Sequence, residues 1–402
     1  MSNEKKVLIV CVSMITITIT ICGGFICKYI KKYDKIQSVS TKEKSIVENE
    51  NQKEIQEEIN ESSSAMKEEE KEQEESIESN EVSAETEENL NILANPEMYT
   101  YQAFEEDSKL LADLYPDKIT VDSLGMTEDG RQIIHFTIGD ASASKKIFIG
   151  AGIHAREYIT SQLVMKQTVA FLEHLENQDS YYGIAYANLL NDTAIHVVCM
   201  INPDGISISQ LGIDGILTEK VKENLEQIAK LDGKNLDSEY LANWKANANG
   251  VDLNRNFDAM WDIYEDPAGH PSADHYKGKF PGCEIESQAL IDLTRQEKFI
   301  RTINYHAQGE VIYWYFGQDG ELYDTTKQFA EKISSLTGYM LDADYENLDP
   351  AGYKDWALQS EKIPSITIEV GTGECPVPAQ QFETIWSQNE FVWEETLLNI
   401  KE

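Results

Sequence analysis

Residues 146–157 read KIFIGAGIHARE, an apolar run that ends in a histidine and a glutamate three positions apart. The run 146–152 predicts a β-strand, and the apolar spacing from Glu157 to Leu175 predicts the helix that follows it. In open α/β sheets, functional groups gather at the carboxyl ends of the strands. His154 and Glu157 at such a place can converge on one Zn²⁺ ion, which accepts nitrogen and oxygen ligands. The alternative is an ordinary surface His–Glu pair.

A catalytic zinc site needs three protein ligands, so a third side chain must come from another strand end. His306 follows the predicted strand 299–305 in the segment INYHAQG, residues 303–309, and therefore matches the position of His154. The other histidines lie inside predicted elements or in a loop rich in proline and aspartate, where structural or surface roles are the better explanation. They are His135, His174, His196, His270 and His275.

Outward from this strand, apolar runs and helical spacing alternate along the chain. Strand-like runs cover residues 119–124, 132–138, 146–152, 194–201, 299–305, 311–315 and 365–370. Helix patterns cover residues 99–115, 157–175, 217–231, 323–336 and 380–399. This alternation predicts an α/β fold with helices on both faces of a mixed sheet.

A second cluster, GVDLNRNF at residues 250–257, contains Asn254 and Arg255 side by side. A guanidinium with a neighbouring amide suits a substrate carboxylate, because the two groups can form paired hydrogen bonds with it. The cluster therefore predicts a carboxylate-binding site. The alternative is a salt bridge within a loop.

Glu369 interrupts an apolar strand near its end, in the segment TIEVG at residues 367–371. An unpaired buried carboxylate is costly, so Glu369 needs a partner or a function. A water molecule activated by the metal is one such partner, since Glu369 can take its proton and pass it to a leaving amine. The alternative is a structural glutamate paired with a lysine or an arginine.

Together these segments resemble the zinc carboxypeptidase family. The matching elements, in the order of the family, are H-x-R-E at 154–157, N-P-D-G at 202–205, D-L-N-R-N at 252–256, Tyr-His at 305–306 and Ile-Glu at 368–369. The resemblance covers most of residues 97–402. It implies an α/β/α sandwich around a mixed, mainly parallel eight-stranded sheet, and a zinc-dependent peptidase with one Zn²⁺ per catalytic domain.

The resemblance also implies roles for individual residues. Glu369 is the predicted general base and acid, and Asn254 with Arg255 is predicted to bind the terminal carboxylate of the substrate. Family members use a mobile tyrosine ahead of the glutamate strand. We predict Tyr345 for that role, and we predict Tyr353 as a substrate contact and the alternative to it. The predicted metal ligands are His154, Glu157 and His306.

One departure from the family concerns the oxyanion. The family usually places an arginine between the N-P-D-G and D-x-N-R-N segments, whereas this chain has none between Gly205 and Asn254. Lys245, in the segment NWKANANG at 243–250, is predicted to take its place, although a point charge is not a bidentate fork. The loss of an oxyanion donor typically costs about 10²–10³ in rate.

The segments WKAN at 244–247 and GYKDW at 352–356 resemble a bacterial branch of the family that cuts peptidoglycan stem peptides at γ-D-glutamyl–diamino acid bonds. By resemblance, Lys354 lies near the floor of the pocket for the last side chain of the substrate. A lysine there favours a side chain with a carboxylate, as in meso-diaminopimelate. The predicted partner is therefore a peptide or muropeptide with a free carboxylate. The alternatives are an exported general carboxypeptidase and a catalytically silent module that binds stem peptides.

Residues 7–27 form a run without charges that is long enough to span a hydrocarbon core as a helix. We predict an N-terminal anchor at residues 1–35, a disordered acidic linker at residues 36–96 and the catalytic domain at residues 97–402. The single-pass anchor would hold the protein in the cell membrane with the catalytic domain outside. A strict count of the flanking lysines favours the opposite orientation.

The chain is strongly acidic, with 71 Asp and Glu against 34 Lys and Arg and a formal net charge of −37. This charge excludes a nucleic-acid binder, because phosphate contacts need clustered lysines and arginines. Cysteine usage predicts no disulfide framework. Outside the predicted anchor only Cys199, Cys283 and Cys375 remain, so a single pairing is possible.

Overall fold

A computed structural model of the protein describes residues 90–94, 99–342, 346 and 348–401. The predicted membrane span at residues 7–27 lies outside the described residues, as do most of the predicted linker and Tyr345. Within the described ranges, no helix combines the length and the apolar character needed to cross a membrane.

The strands of the described residues form one large sheet and one small hairpin. They are β1 Ile119–Met126, β2 Gln132–Ile138, β3 Lys145–Gly150, β4 Ser180–Tyr181, β5 Ile184–Ala185, β6 Thr193–Val198, β7 Arg301–His306, β8 Val311–Tyr313, β9 Met340–Leu341 and β10 Ser365–Glu369. β4 and β5 form the hairpin. The order across the eight-stranded sheet is β1-β2-β6-β3-β7-β10-β8-β9.

Helices connect most of these strands. The α-helices are α1 Asn91–Ala94, α2 Tyr101–Leu114, α3 Ile159–Glu176, α4 Tyr186–Leu189, α5 Pro203–Leu211, α6 Glu219–Leu231, α7 Ser238–Ala242, α8 Ile285–Glu297, α9 Gly320–Thr337, α10 Tyr353–Gln359, α11 Phe382–Asn389 and α12 Val392–Asn399. Short 3₁₀ turns include Ala155–Glu157 and Leu253–Arg255.

The centre of the large sheet is parallel, because β6, β3, β7 and β10 all run in the same direction. Antiparallel pairs flank this centre, so the predicted mixed eight-stranded sheet is confirmed. Parallel neighbours bring their carboxyl ends to the same edge of a sheet. The register places Gly150 beside Asn304 and Glu369 beside His306. The strand ends that carry the predicted chemistry therefore meet at one edge.

Helices cover both faces of the sheet, as the sequence pattern predicts. On one face Ile149 and Val197 pack in a core with residues of α3, α9, α11 and α12. On the other face Phe148 and Val198 pack against residues of α8 and α10. Successive strand residues such as Phe148 and Ile149 enter different cores because side chains alternate across a strand.

The packed region begins before the predicted domain boundary at residue 97. Leu90 and Ile92 are buried in the core of the domain. The backbone N–H groups of Asn91 and Ile92 donate to the Asp107 carboxylate of α2 at 2.8 and 2.9 Å. Apolar side chains with fixed partners belong to the folded domain, so the linker ends upstream of these residues.

Some elements differ from the sequence-based prediction. The N-P-D-G segment, for which no helix was predicted, is the start of α5: the Asn202 side chain caps the helix by accepting from Gly205 N, and Pro203 occupies the first turn. The predicted helix 380–399 is two helices, α11 and α12, that are separated at Glu390–Phe391. α8 and α10 were not predicted. Cys199, Cys283 and Cys375 are all free thiols.

Glu286, in the first turn of α8, is a buried acid that makes stability depend on pH. Its side chain is 1% exposed, and Asn247 Nδ2 donates to one of its carboxylate oxygens at 3.2 Å. Burial raises its pKa from about 4.5 to about 8, and the nearby Glu284 carboxylate adds to this effect. Between these two pH values the folded protein keeps a proton that the unfolded chain releases. The stability of the fold therefore falls as the pH rises through this interval.

Glu286→Gln is expected to remove this dependence, because the amide stays neutral and keeps an acceptor for Asn247. The free energy of unfolding at pH 8 should rise by more than about 1 kcal/mol, whereas at about pH 4.5 it should change little. Thermal unfolding of both proteins at the two pH values measures the effect. A variant that is less stable than the wild-type protein at pH 8 would show that Glu286 is ionised in the fold.

Candidate metal centre and active site

A tight turn after β3 brings His154 and Glu157 to the edge of the sheet. Gly152 has a φ of +63°, and a Cβ atom there would lie 2.4 Å from Ser161 Oγ. The turn therefore requires glycine. Ala155–Glu157 then forms a single 3₁₀ turn, in which side chains three positions apart lie on the same side. His154 and Glu157 consequently face the same point.

Three buried ligand groups converge at this point. Glu157 Oε1 lies 2.7 Å from His154 Nδ1, Glu157 Oε2 lies 3.1 Å from His306 Nδ1, and the two Nδ1 atoms are 3.2 Å apart. Each of these residues is at most 5% exposed. The structure thus brings together all three side chains that the sequence analysis selected as metal ligands.

The donor set fits zinc. Two imidazole nitrogens and one carboxylate oxygen are ligands that Zn²⁺ accepts, and a catalytic zinc ion takes three protein ligands. Burial by itself would raise the pKa of Glu157, but His154 and His306 outweigh burial and hold this pKa well below its usual value. The carboxylate is therefore ionised, as a metal ligand must be. The ligand atoms of the three side chains all lie within 4.8 Å of one another, which is close enough for them to bind one ion.

Asp252 supports the centre from behind. Its Oδ1 lies 3.2 Å from His154 Nε2, and its Oδ2 accepts from Lys245 Nζ at 2.9 Å. Burial opposes ionisation of Asp252, yet Lys245 and His154 hold its pKa well below the usual value. A hydrogen bond from His154 Nε2–H to this carboxylate directs the Nδ1 lone pair at the metal point. No role was predicted for Asp252, although it begins the D-L-N-R-N segment.

Lys245 belongs to this support. Its Nζ atom lies 2.9 Å from Asp252 Oδ2 and 3.3 Å from Asp274 Oδ1. Burial lowers the pKa of Lys245, but the two aspartates more than reverse this, so the side chain stays charged. Its charge also lowers the pKa of Glu369. The oxyanion role of Lys245 stays a prediction, and in that role the oxyanion would compete with two carboxylates for the ammonium group.

Glu369 ends β10 next to the metal centre, where it is paired in register with His306 on β7. Burial raises the pKa of Glu369 to about 8 against the opposing effect of His306, and Glu157 adds to the rise. A carboxyl group with such a pKa can both accept and release a proton near neutral pH. The predicted general base therefore stands beside the predicted ligands.

A cavity of about 370 Å³ lies in front of Glu369. The 3₁₀ turn Leu253–Arg255 contributes two of its lining residues, and β8 and α10 contribute others. One cavity therefore contains the predicted base, the two residues predicted to bind a carboxylate, and Lys354. Its lining includes Asn254, Arg255, Tyr313, Asp349, Lys354 and Glu369.

Arg255 is held in place by several partners. Its Nη1 donates to Asn254 O at 2.9 Å, its guanidinium lies 5.2 Å from the centre of the Tyr264 ring, and its Nη2 pairs with the Asp349 carboxylate. The Asp349 side chain is 70% exposed, so a substrate carboxylate can replace it at Arg255. Asn254 Oδ1 accepts from Tyr353 N at 3.1 Å, which orients the amide beside Arg255. The contacts of Tyr264 and Asp349 were not predicted.

The predicted substrate contact of Tyr353 must be corrected. Tyr353 is the first residue of α10, is 1% exposed and packs against Trp356, and its hydroxyl lies 2.8 Å from Thr294 Oγ1. The start of the helix directs this side chain into the core. Lys354, the next residue, does line the cavity. Tyr345, the predicted mobile tyrosine, lies outside the described residues.

One edge of the sheet gathers two imidazoles and two carboxylates, and it lies beside a cavity with a cationic wall. These groups can bind a metal ion and supply a general base, which are the requirements of a metal-dependent hydrolase. The comparison with known families is more specific. The chain belongs to the zinc carboxypeptidase family, whose sequence model matches residues 104–392. It is therefore a zinc metallopeptidase.

Individual relatives agree with this membership. The chain is 33% identical over 293 residues to gamma-D-glutamyl-L-diamino acid endopeptidase 1 of Lysinibacillus sphaericus, a match that covers 72% of this chain and 70% of the relative. It is 24% identical over 263 residues to mast cell carboxypeptidase A of Homo sapiens, over 62% of this chain and 56% of that protein. The crystal structure of thrombin activatable fibrinolysis inhibitor has a TM-score of 0.59 at 17% identity, over 75% of this chain and 74% of that chain. This last likeness shows the shared fold.

The positions of these residues indicate a separate role for each in hydrolysis. A bound zinc ion supplies Lewis-acid chemistry, because it polarises a peptide carbonyl and makes a water molecule more acidic. Glu369 is placed to take a proton from the attacking water and to return a proton to the leaving amine. Asn254 and Arg255 line the same cavity as Glu369 and are placed to hold a free carboxylate.

Proposed function

We propose that the protein hydrolyses the amide bond between γ-D-glutamate and a diamino acid in peptidoglycan stem peptides. The observation that carries this proposal is Lys354 in the same cavity as Arg255 and Glu369. A diamino acid such as meso-diaminopimelate ends its side chain in a second carboxylate and a second ammonium group. The name of the relative from Lysinibacillus sphaericus supports the same reaction.

The contacts of Lys354 indicate which charges the substrate side chain should carry. Lys354 Nζ donates to Tyr315 O at 3.1 Å and pairs with the Asp355 carboxylate, and Asp342 also lines the cavity. The lysine charge is therefore partly balanced by Asp355, and a second carboxylate, that of Asp342, belongs to the same cavity. Such a cavity suits a side chain that carries both charges better than one that carries a carboxylate alone or an amine alone.

The free carboxylate next to the scissile bond has a separate binding place. Arg255 and Asn254 lie at the wall of the cavity that is formed by the 3₁₀ turn, and Glu369 lies at the end of β10. A diamino acid can thus place its main carboxylate at Arg255, its side chain toward Lys354 and its acylated nitrogen near Glu369. In that pose the γ-carbonyl of D-glutamate is directed toward the metal centre.

Lys354→Met is expected to reduce kcat/KM for L-Ala-γ-D-Glu-meso-diaminopimelate by about ten- to a hundredfold. A hydrogen bond to a charged group is worth about 1.5–3 kcal/mol, and Met keeps the length of the side chain without its charge. The rate for the same tripeptide with L-Lys in the last position should fall less, since that side chain has no carboxylate. Product formation by the zinc-loaded protein, followed by liquid chromatography, measures both rates.

Lys109→Met is the matched control, because Lys109 is 69% exposed on α2 and pairs there with Glu105. It should leave both rates unchanged. Faster cleavage of ordinary peptides that end in a neutral or basic L-residue than of the diaminopimelate peptide would overturn the proposed substrate. That outcome would favour a general carboxypeptidase.

We further propose that the catalytic domain acts outside the cell, attached to the membrane through residues 7–27. The support is the uncharged run itself, which has the length of a membrane span. Protease added to intact cells should then remove the domain, whereas a cytoplasmic control protein should stay intact. Full protection of the domain until the cells are lysed would contradict this location.

A further inference from the structure

Asn202 occupies the junction between β6 and α5, and it is completely buried. Its backbone N–H donates to Gly152 O at 3.0 Å, in the turn that leads to the first metal ligand. N-P-D-G entered the family resemblance, but no individual role was predicted for Asn202. The structure gives its side chain a specific set of partners.

The Asn202 amide joins two chain segments that are far apart in sequence. Its Nδ2 donates to Ile153 O at 3.2 Å and to Ala246 O at 3.1 Å. Its Oδ1 accepts from Gly205 N at 3.0 Å. Each of the two hydrogens on Nδ2 is therefore donated to a different main-chain carbonyl. Each carbonyl belongs to a neighbour of a site residue, because Ile153 precedes His154 and Ala246 follows Lys245.

A second set of contacts joins the same two segments. Ala155 N donates to Lys245 O at 3.0 Å. On the side-chain level, Lys245 Nζ donates to Asp252 Oδ2, and Asp252 Oδ1 lies 3.2 Å from His154 Nε2. The hydrogen bonds from the Asn202 side-chain amide to two main-chain carbonyls and the side-chain contacts through Asp252 thus connect the same two segments.

The chain is closely packed around the Asn202 amide. A Cβ atom on Gly205 would lie 2.5 Å from Ala246 O and 2.5 Å from Asn202 Nδ2, far inside van der Waals contact. Asp204, which precedes Gly205 in the first turn of α5, is also held in place, because its Oδ1 accepts from Thr127 Oγ1 and from Arg131 Nη1. The start of α5 is therefore held by several hydrogen bonds, and the Asn202 amide connects it to the two segments.

We infer that Asn202 is a positioning residue for the metal centre. Its amide fixes the main chain of the His154 segment relative to the segment of Lys245, and thereby aligns His154 with Asp252 and the metal point. Partners that orient a metal ligand typically change metal affinity by about ten- to a hundredfold when they are lost. The inference concerns the metal centre alone and does not depend on the proposed substrate.

Asn202→Asp tests the inference with an isosteric change. Aspartate keeps the acceptor that caps α5, but it places a carboxylate oxygen against two carbonyls in place of the donor. Competition with a chromophoric chelator is expected to show Zn²⁺ affinity at least about tenfold lower than in the wild-type protein. The absorption spectrum of the Co²⁺-substituted protein should change as well, because it reports the geometry of the ligands.

Asn389→Asp is the matched control. Asn389 is also completely buried, and its Nδ2 likewise donates two hydrogen bonds, to Tyr339 Oη at 3.0 Å and to Ile385 O at 2.9 Å. This variant should lose thermal stability yet keep the Zn²⁺ affinity and the Co²⁺ spectrum of the wild-type protein. Asn202→Ser, which retains a helix cap without adding charge, gives the deciding measurement if Asn202→Asp does not fold. Wild-type Zn²⁺ affinity in the Asn202 variants, or an equal loss in Asn389→Asp, overturns the inference.

Discussion

Glu369→Gln is expected to lower kcat by about 10²–10⁴ while zinc binding is retained. The side chain keeps its shape, but an amide can neither take a proton from water nor return one to the leaving amine. The change leaves His154, Glu157 and His306 in place, so one zinc ion per chain should still be found by metal analysis. Steady-state kinetics on the diaminopimelate tripeptide, with metal content measured on the same sample, provides the test.

Glu361→Gln is a suitable control for this experiment. Glu361 is eight positions before Glu369 in sequence, but it does not line the cavity. It pairs instead with Arg295 on the surface, at 2.9 Å. Its replacement should leave kcat unchanged. If Glu369→Gln retained more than about a tenth of the wild-type kcat, general acid–base catalysis by Glu369 would be excluded.

His306→Ala is expected to remove both zinc and activity. A catalytic zinc site depends on three protein ligands, and this change leaves only His154 and Glu157. The loss of affinity should exceed the roughly hundredfold that is typical when a supporting partner of a ligand is lost. A ligand that binds only the folded state raises its stability, so added Zn²⁺ should raise the Tm of the metal-free wild-type protein and not that of the variant.

His174→Ala controls for the loss of a histidine as such. His174 lies on α3, is 32% exposed and pairs with Asp179. This variant should keep one zinc ion and full activity. An unchanged zinc content in His306→Ala would show that the metal is bound elsewhere in the chain.

The metal centre could be predicted because it depends on strand ends, which leave a clear signal in sequence. An apolar run followed by His154 and Glu157, and a second one that closes with His306, indicate where two parallel strands terminate. Parallel pairing then brings those ends to one edge without further information. Glu369 could be recognised for a related reason, since a carboxylate inside an apolar strand requires a partner or a function.

Side-chain direction at a helix start could not be predicted in the same way. Tyr353 and Lys354 are neighbours, yet one is a core residue beside Trp356 and the other lines the cavity. Successive helical residues point about 100° apart, so an error of one residue in the start of α10 exchanges their environments. The sequence contains no signal that fixes this start to one residue.

Long-range support of the centre also escaped prediction. Asp252 contacts His154 across 98 positions, and Asn202 links Ile153 to Ala246. Such contacts follow from tertiary packing rather than from local pattern. Signals were nonetheless present: Asp252 and Asn202 each begin a segment that was used for the family resemblance, and a buried aspartate before an arginine calls for a charged partner.

Hydrolysis of L-Ala-γ-D-Glu-meso-diaminopimelate in H₂¹⁸O tests the central claim most directly. The zinc-loaded protein is predicted to release free meso-diaminopimelate and L-Ala-D-Glu, with one ¹⁸O atom in the γ-carboxylate of the glutamate. A chelator should abolish both products, and added Zn²⁺ should restore them. Release of alanine instead, or no cleavage of this tripeptide under conditions in which an ordinary peptide loses its C-terminal residue, would contradict the account.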